Sequence, residues 1–212
     1  MNEFLLSAQF IDSANPAVAE FSKKHAAGKS GIERALALYY AVRDEIRYNP
    51  FLDFSDPEVF RASAVLRAGE GFCIGKAALL AACARAGGIP ARVGFADVKN
   101  HLTTPKLAET MGTDLFIYHG YAELFLEGKW VKATPAFNLT LCKRFRVKPL
   151  EFDGRHDSVF HAFDQDERRH MEYLRERGSF ADVPTAEIQH AFREAYPKFY
   201  GLGRDAAKET FA

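Results

Sequence analysis

Apolar residues recur at helical spacing through residues 31–47, where Ile32, Ala35, Leu36, Tyr39, Val42 and Ile46 share one face. Ser30-Gly31-Ile32-Glu33 precedes them as a capping-box pattern, and Tyr48-Asn49-Pro50 breaks the run. Upstream, Asn15-Pro16 reads as an N-cap and first helical residue, with Gly28 as the matching stop. Ser55-Asp56-Pro57-Glu58 opens a further helix that reaches about Leu66 and stops at Ala68-Gly69. From Cys73 to Ala86 the chain is small and apolar, with Ala77, Leu80, Ala81 and Ala84 on one buried face. Gly87-Gly88 and Pro90 end that helix.

Beyond Pro90 the period changes. Residues 91–98 read as a strand and residues 100–113 as an irregular loop. Residues 115–126 are rich in strand formers, Glu127-Gly128 is a tight turn, and residues 129–134 return as the partner strand. Residues 164–177 read as a charged surface helix ended by Gly178, and residues 182–195 as a last helix halted near Pro197. Helices first and a strand meander later predict an α+β fold. Its N-terminal helices and the Cys73 helix pack on an antiparallel sheet, followed by a C-terminal helical extension. No composition break divides the chain, so a single domain of 212 residues is expected, with a core over 31–140 and an extension over 150–212 packed on it.

Strand alternation assigns His119, Tyr121, Glu123 and Phe125 to one face, and Tyr118, Ala122, Leu124 and Leu126 to the other. A two-residue turn at Glu127-Gly128 pairs Leu126 with Lys129 and Tyr121 with Thr134. His119 then lies opposite Ala136, with Thr134 and Asn138 as diagonal neighbours. A one-residue slip would turn the whole set over.

Composition narrows the chemistry. Lys plus Arg and Asp plus Glu both number 28, so the chain carries no basic footprint for nucleic acid or an anionic membrane. The first residues lack a basic segment and a long apolar run, no stretch has transmembrane length, and three cysteines without paired spacing argue against a disulfide framework. The cytoplasm is the expected compartment. Cys73 stands out because a helix N-terminus offers unpaired N–H groups and the positive end of the dipole, which favour a thiolate. Such a perch can lower a cysteine pKa from about 8.5 into roughly the 3.5–7.5 range, and the same N–H groups can hold an oxyanion. The competing reading is a small buried residue, a common role for cysteine. His119, taken alone, is a hydrogen-bonded histidine within a sheet; with Cys73 upstream it completes a thiolate–imidazolium pair for nucleophilic catalysis.

Gly71-Phe72-Cys73, the run from Arg85 through Gly88-Ile89-Pro90-Ala91-Arg92, His119-Gly120-Tyr121-Ala122-Glu123 and Gly128-Lys129-Trp130-Val131 together resemble the transglutaminase-like superfamily. Ile46-Arg47-Tyr48 is similar to that family's lead-in, so the resemblance covers roughly residues 31–138. It implies a papain-like α+β core with a catalytic Cys on a helix and His and Asp on adjacent strands. It makes Cys73 the nucleophile and His119 the base in cysteine-dependent hydrolysis of an amide or peptide bond, or acyl transfer to an amine. The implied partner is a peptide or protein amide, with an amine acceptor in the transfer case, and no cofactor is expected.

One departure from the family is plain. Where the family shows Asp before Pro, this chain has Thr134, in Ala133-Thr134-Pro135. Thr134 can accept the histidine N–H without supplying charge, Asn138 can do the same, and Asp153 or Asp157 can supply a carboxylate by folding back. A catalytically inactive binding module that lost the Asp is the alternative. Tyr48 or Asn49 is a candidate second oxyanion donor, and Tyr48, Tyr121 and Glu123 are candidate substrate contacts. Against the last, Glu123 paired with an arginine is the plainer reading, as is a structural Arg92 whose head meets an acid, and Trp130 reads as a packing aromatic. His156, His161 and His170 near Asp153 and Asp157 lack the spacing of a metal site. His25 and His190 read as surface-helix residues, His101 as a loop residue and Cys83 as a core thiol. Cys142 has no assigned role.

Overall fold

The protein is described by a computed structural model over residues 1–100, 109, 111–159, 171–197 and 200. Helices α1 (Pro16–Ala26) and α2 (Gly31–Glu45) open the fold, and strand β1 (Arg47–Tyr48) follows. Helix α3 (Ala62–Ala68) then leads through β2 (Glu70–Gly71) into α4 (Cys73–Ala86). Strands β3 (Ala91–Asn100), β4 (Leu115–Leu126) and β5 (Lys129–Ala133) form the meander. Helix α5 (Leu139–Phe145), strand β6 (Met171–Phe180) and helix α6 (Thr185–Ala195) complete it.

Helix α4 explains the arrangement. It is apolar all round and buried from Cys73 to Arg85, the signature of a central rather than a surface helix. It touches α1, α2 and α3 as well as β3 and β4, so it lies between the helical layer and the sheet. Asn15 caps α1 by accepting the Ala17 N–H at 3.0 Å, whereas Ser30 makes no side-chain cap on α2. The predicted helix over 55–66 is two pieces, a 3-10 turn at Pro57–Phe60 and then α3, because Arg61 is extended between them.

The four-stranded sheet is antiparallel, in the order β5-β4-β3-β6. The Leu126↔Lys129 register is the one expected from the Glu127-Gly128 turn, and pairing continues to Ala122↔Ala133. Residues 171–177 overturn the predicted charged helix: they are the first part of β6, an edge strand on β3, while the preceding residues of that segment lie outside the described ones. The C-terminal extension therefore supplies sheet as well as helix. Most of the predicted loop over 100–113 also lies outside the described residues.

Arg85 and Asp182 fasten this extension. The Arg85 guanidinium donates to carbonyls of Leu6 (2.6 Å), Ala91 (2.9 Å) and Ala181. The Asp182 carboxylate accepts the N–H groups of Gln9, Phe10 and Ile11 at 2.9–3.1 Å. Among the described residues, no helix is long and apolar enough to cross a membrane.

Candidate active site

Cys73 is the first residue of α4, entered from an extended Phe72. Two glycines let other elements close on this point. A Cβ on Gly75 would stand 2.6 Å from the Val59 carbonyl oxygen, so α4 lies hard against the preceding turn. A Cβ on Gly120 would stand 2.8 Å from Ile74 Cα, so β4 crosses the start of α4 in backbone contact. The N–H groups of Gly120, Ile74 and Cys73 itself lower the thiol pKa, yet burial outweighs them and pushes it up to about 11. This reverses the expectation of a resting thiolate. The helix terminus is present, but its N–H groups act on a sulfur already withdrawn from water.

Beside the sulfur is a cavity of about 40 Å³, room for about one water. Its walls are Tyr48, Pro50, Phe54, Phe72, Met111, Phe116, Ile117, Phe192 and Tyr196, with Cys73 and His119 also facing it. Among the described residues the lining comes from distant regions of the chain, and its polar side chains besides those two are the tyrosines Tyr48 and Tyr196. Tyr196 accepts the Ile117 N–H at 2.7 Å and donates to the Leu115 carbonyl at 2.9 Å, fixing the end of α6 to β4. Parallel pairing of Tyr48 with Gly71 brings the β1 end beside the start of α4. Burial and the neighbouring Cys73 raise the Tyr48 pKa, so its hydroxyl stays neutral.

The other sequence-predicted residues divide. Tyr121 and Glu123 do not line this cavity. Tyr121 packs with Ala96 and Val98 in a separate cluster beneath the Lys132 ammonium. Glu123 is buried in an ion pair with Arg92 and accepts a hydrogen bond from Ser179 at 3.0 Å. Arg92 in turn lies 4.2 Å over the Trp130 ring. Both residues are engaged in the sheet, away from this cavity.

Each candidate for orienting His119 has its own surroundings. Asn138 accepts the Tyr48 N–H at 3.2 Å and donates to Thr140. Asp153 accepts from the backbone of Arg155 and His156 and meets the His156 ring at 2.7 Å. Asp157 accepts the Lys132 N–H at 2.9 Å. The Thr134 hydroxyl is buried without a hydrogen-bond partner among the described residues. Asn49 accepts the Phe51 N–H and donates to Glu70, so its amide is engaged as well.

Lys76, one turn after Cys73, went unread in the sequence. Its ammonium is fully buried and donates to carbonyls of Arg43 (2.9 Å), Ile46 (2.5 Å) and Ala136 (2.8 Å). It ties α4 to the end of α2 and to the segment that follows Thr134. Burial pulls its pKa down to about 7, while three carbonyl acceptors favour the charged form. A lysine among alanines and leucines was the available signal. Phe54, Phe116, Ile117, Phe192 and Tyr196 were also missed as wall residues, since nothing in their spacing distinguishes them from core.

Among the described residues no three His, Cys, Asp or Glu side chains are grouped to hold a metal. Cys83 is fully buried with its thiol pKa raised by desolvation, and Cys142 is buried on α5 with its pKa raised to about 11. The His25 ring lies 4.4 Å from the Phe21 ring and tilted to it, His190 is exposed beside Glu194, and His101, His161 and His170 lie outside the described residues.

Comparison with known proteins adds the following. The model of the transglutaminase-like superfamily matches residues 19–135, more than half of the chain. No curated protein matches. Among solved structures, one from Cytophaga hutchinsonii, described as "a putative cysteine protease", matches at 15% identity with a TM-score of 0.48. That match covers 84% of this chain and 53% of the other, so the chain spans about half the length of that relative. Another, "a putative protease" from Parabacteroides distasonis, matches at 19% identity with a TM-score of 0.38, covering 55% of this chain and 22% of the other.

Proposed function

We propose, from the premise that this chain belongs to the transglutaminase-like superfamily, that it is a cysteine-dependent enzyme acting on an amide or peptide bond. The Cys73 sulfur attacks the carbonyl carbon while His119 takes the thiol proton. The tetrahedral oxyanion is held by backbone N–H groups at the start of α4, with the Tyr48 hydroxyl as a further donor. Collapse expels the amine, which takes from His119 the proton given up by the thiol, and leaves an acyl-thioester on Cys73. Water then releases an acid, or a primary amine releases a new amide; the resemblance favours water. The single observation that carries this reading is the shared cavity, where a thiol at a helix N-terminus and an imidazole from the following sheet face the same space.

Because burial holds Cys73 as a thiol, His119 acts during the attack rather than by ionising the sulfur beforehand. Thr134 stands where the family has Asp, and its buried hydroxyl, without a partner among the described residues, is the acceptor assigned to fix the imidazole tautomer. The apolar walls favour an uncharged acyl group, and a space of about 40 Å³ has to widen to admit one.

Incubation with an activated acyl ester such as p-nitrophenyl acetate, followed by mass spectrometry, tests the reading. The expected result is one acetyl group on Cys73, formed quickly in the intact chain and slowly in His119→Ala. No adduct on Cys73, or an adduct indifferent to His119, leaves the non-catalytic binding module as the better account.

A further inference from the structure

Strand β3 meets irregular pairing on both of its edges close to Asp97: toward β4 at Asp97 itself, and toward β6 between Phe95 and Ala96 and again between Asp97 and Val98. Toward β4, the pairs Ala96↔His119 and Val98↔Phe116 leave two residues, Ile117 and Tyr118, opposite Asp97 alone. Toward β6, the pairs Phe95↔Gly178 and Ala96↔Glu176 leave Arg177 without a counterpart. The bulge at Ile117-Tyr118 and the one at Arg177 meet at the same carboxylate. Asp97 accepts the Tyr118 N–H at 3.1 Å and the Arg177 guanidinium through Nε at 2.9 Å and Nη2 at 2.8 Å. Arg177 also lies 4.6 Å from the Tyr118 ring centroid, and the Tyr118 hydroxyl donates to Glu187 on α6.

Tyr118 has φ +52°, a left-handed conformation unfavourable for an aromatic residue unless its surroundings enforce it. Asp97 is only 6% exposed, so its carboxylate is a buried acceptor with charged partnership and not a solvated surface group. The residue it bends is the one immediately before His119.

We propose that Asp97 is a positioning residue for the reaction at Cys73. By holding Tyr118 in its left-handed turn, it sets where the His119 ring meets the cavity. Through Arg177 and Tyr118 it also makes that placement depend on β6 and α6, the C-terminal extension. The proposal rests on the reading of His119 as base, and it differs from a role in stability alone because it acts through one ring.

The test pairs a structural and a kinetic readout. Histidine-labelled protein is followed by NMR, with the His119 ring signals assigned by their loss in His119→Ala. In Asp97→Ala these signals are expected to shift and their titration midpoint to move, while those of exposed His156 and His190 stay. Acylation of Cys73 by p-nitrophenyl acetate is expected to slow about tenfold in Asp97→Ala, and by less than twofold when the change is made on the His119→Ala background. Unchanged His119 signals, or an equal slowing on both backgrounds, overturns the proposal. If the intact chain is not acylated, the proposed function fails, while the NMR result still decides whether Asp97 positions the ring. Should Asp97→Ala not fold, Arg177→Lys, which keeps the charge and loses the two-pronged contact, is expected to move the same signals to a smaller extent, and no movement overturns the proposal.

Discussion

Strand β4 runs regularly against β5 from Leu126 to Ala122, and irregularly against β3 from His119 to Phe116. In the first half, side chains alternate as strand geometry dictates, and each polar group has a fixed partner, as Glu123 has in Arg92. In the second half the phase breaks at Tyr118, Gly120 has no room for a side chain, and His119 and Ile117 face the cavity beside Cys73. The difference teaches where chemistry can reside in a sheet. Regular pairing commits each side chain to a neighbour across the strand; a bulge re-aims one, at the cost of strained backbone that other elements must hold.

Two substitutions test the irregular half most severely. His119→Ala is expected to slow acylation of Cys73 about 10³-fold at neutral pH, the loss typical of a general base, with the thermal midpoint little changed. Gly120→Ala is expected to slow it about 10²-fold and to destabilise the fold by about 1–3 kcal/mol, because the added methyl meets the backbone of Ile74 and the contacting elements must part. Calorimetry and acylation kinetics on the same preparations check both. A Gly120→Ala chain with full activity would show that β4 need not touch α4.

The balance at the sulfur gives a pH signature. With His119 removed, only the thiolate reacts with iodoacetamide. Burial holds the thiol at about 11, so the thiolate fraction, and with it the rate, is expected to rise about tenfold per pH unit from 7 to 10 and to level near 11. A plateau already reached below pH 8 would mean that the N–H groups of the helix terminus outweigh burial after all.

The sequence made the regular parts of the molecule readable and left the irregular ones obscure, for physical reasons. Periodicity located α2 and α4, and the Glu127-Gly128 turn set the β4–β5 register. Cys73 and His119, which line one cavity, stood out in the sequence because a cysteine after a glycine-rich entry and a histidine in a strand carry chemical meaning by type. Strict alternation, however, ran on through Ile117 and Tyr118, where the pairing with β3 shifts, since no residue pattern announces a bulge at a tyrosine. Strand β6 was misread because Glu172, Leu174, Arg175, Glu176 and Arg177 are mostly good helix formers, and an edge strand exposed along much of its length shows little alternation. Pairing with β3 overrode local preference. The direction of the Cys73 pKa shift differs from the expectation because the N-terminal position can be read from sequence, while the depth of burial depends on Phe54, Phe192 and Tyr196 arriving from distant segments.

Thr134→Val gives a smaller effect with opposite signs in its two readouts. The hydroxyl is buried without a partner among the described residues, so replacing it with a methyl group is expected to stabilise the fold by about 1 kcal/mol. If that hydroxyl accepts the His119 N–H during the reaction, acylation slows several-fold in the same variant. A gain in stability with an unchanged rate would show that His119 works without this acceptor.

The smallest chemical effect belongs to the regular half. Glu123→Gln keeps the shape and the acceptor for Ser179 but removes the charge facing Arg92. Breaking a fully buried pair costs about 3–5 kcal/mol; the Arg92 side chain is 25% exposed and can turn toward water, so about 2 kcal/mol is expected here. Urea unfolding checks that figure, and acylation of Cys73 is expected to stay within twofold of the parent. Glu123 lies on the same strand as His119, four residues away. If its neutralisation slowed acylation as much as the changes at Gly120, the two halves of β4 would be one mechanical unit, and the separation between a structural half and a chemical half would fail.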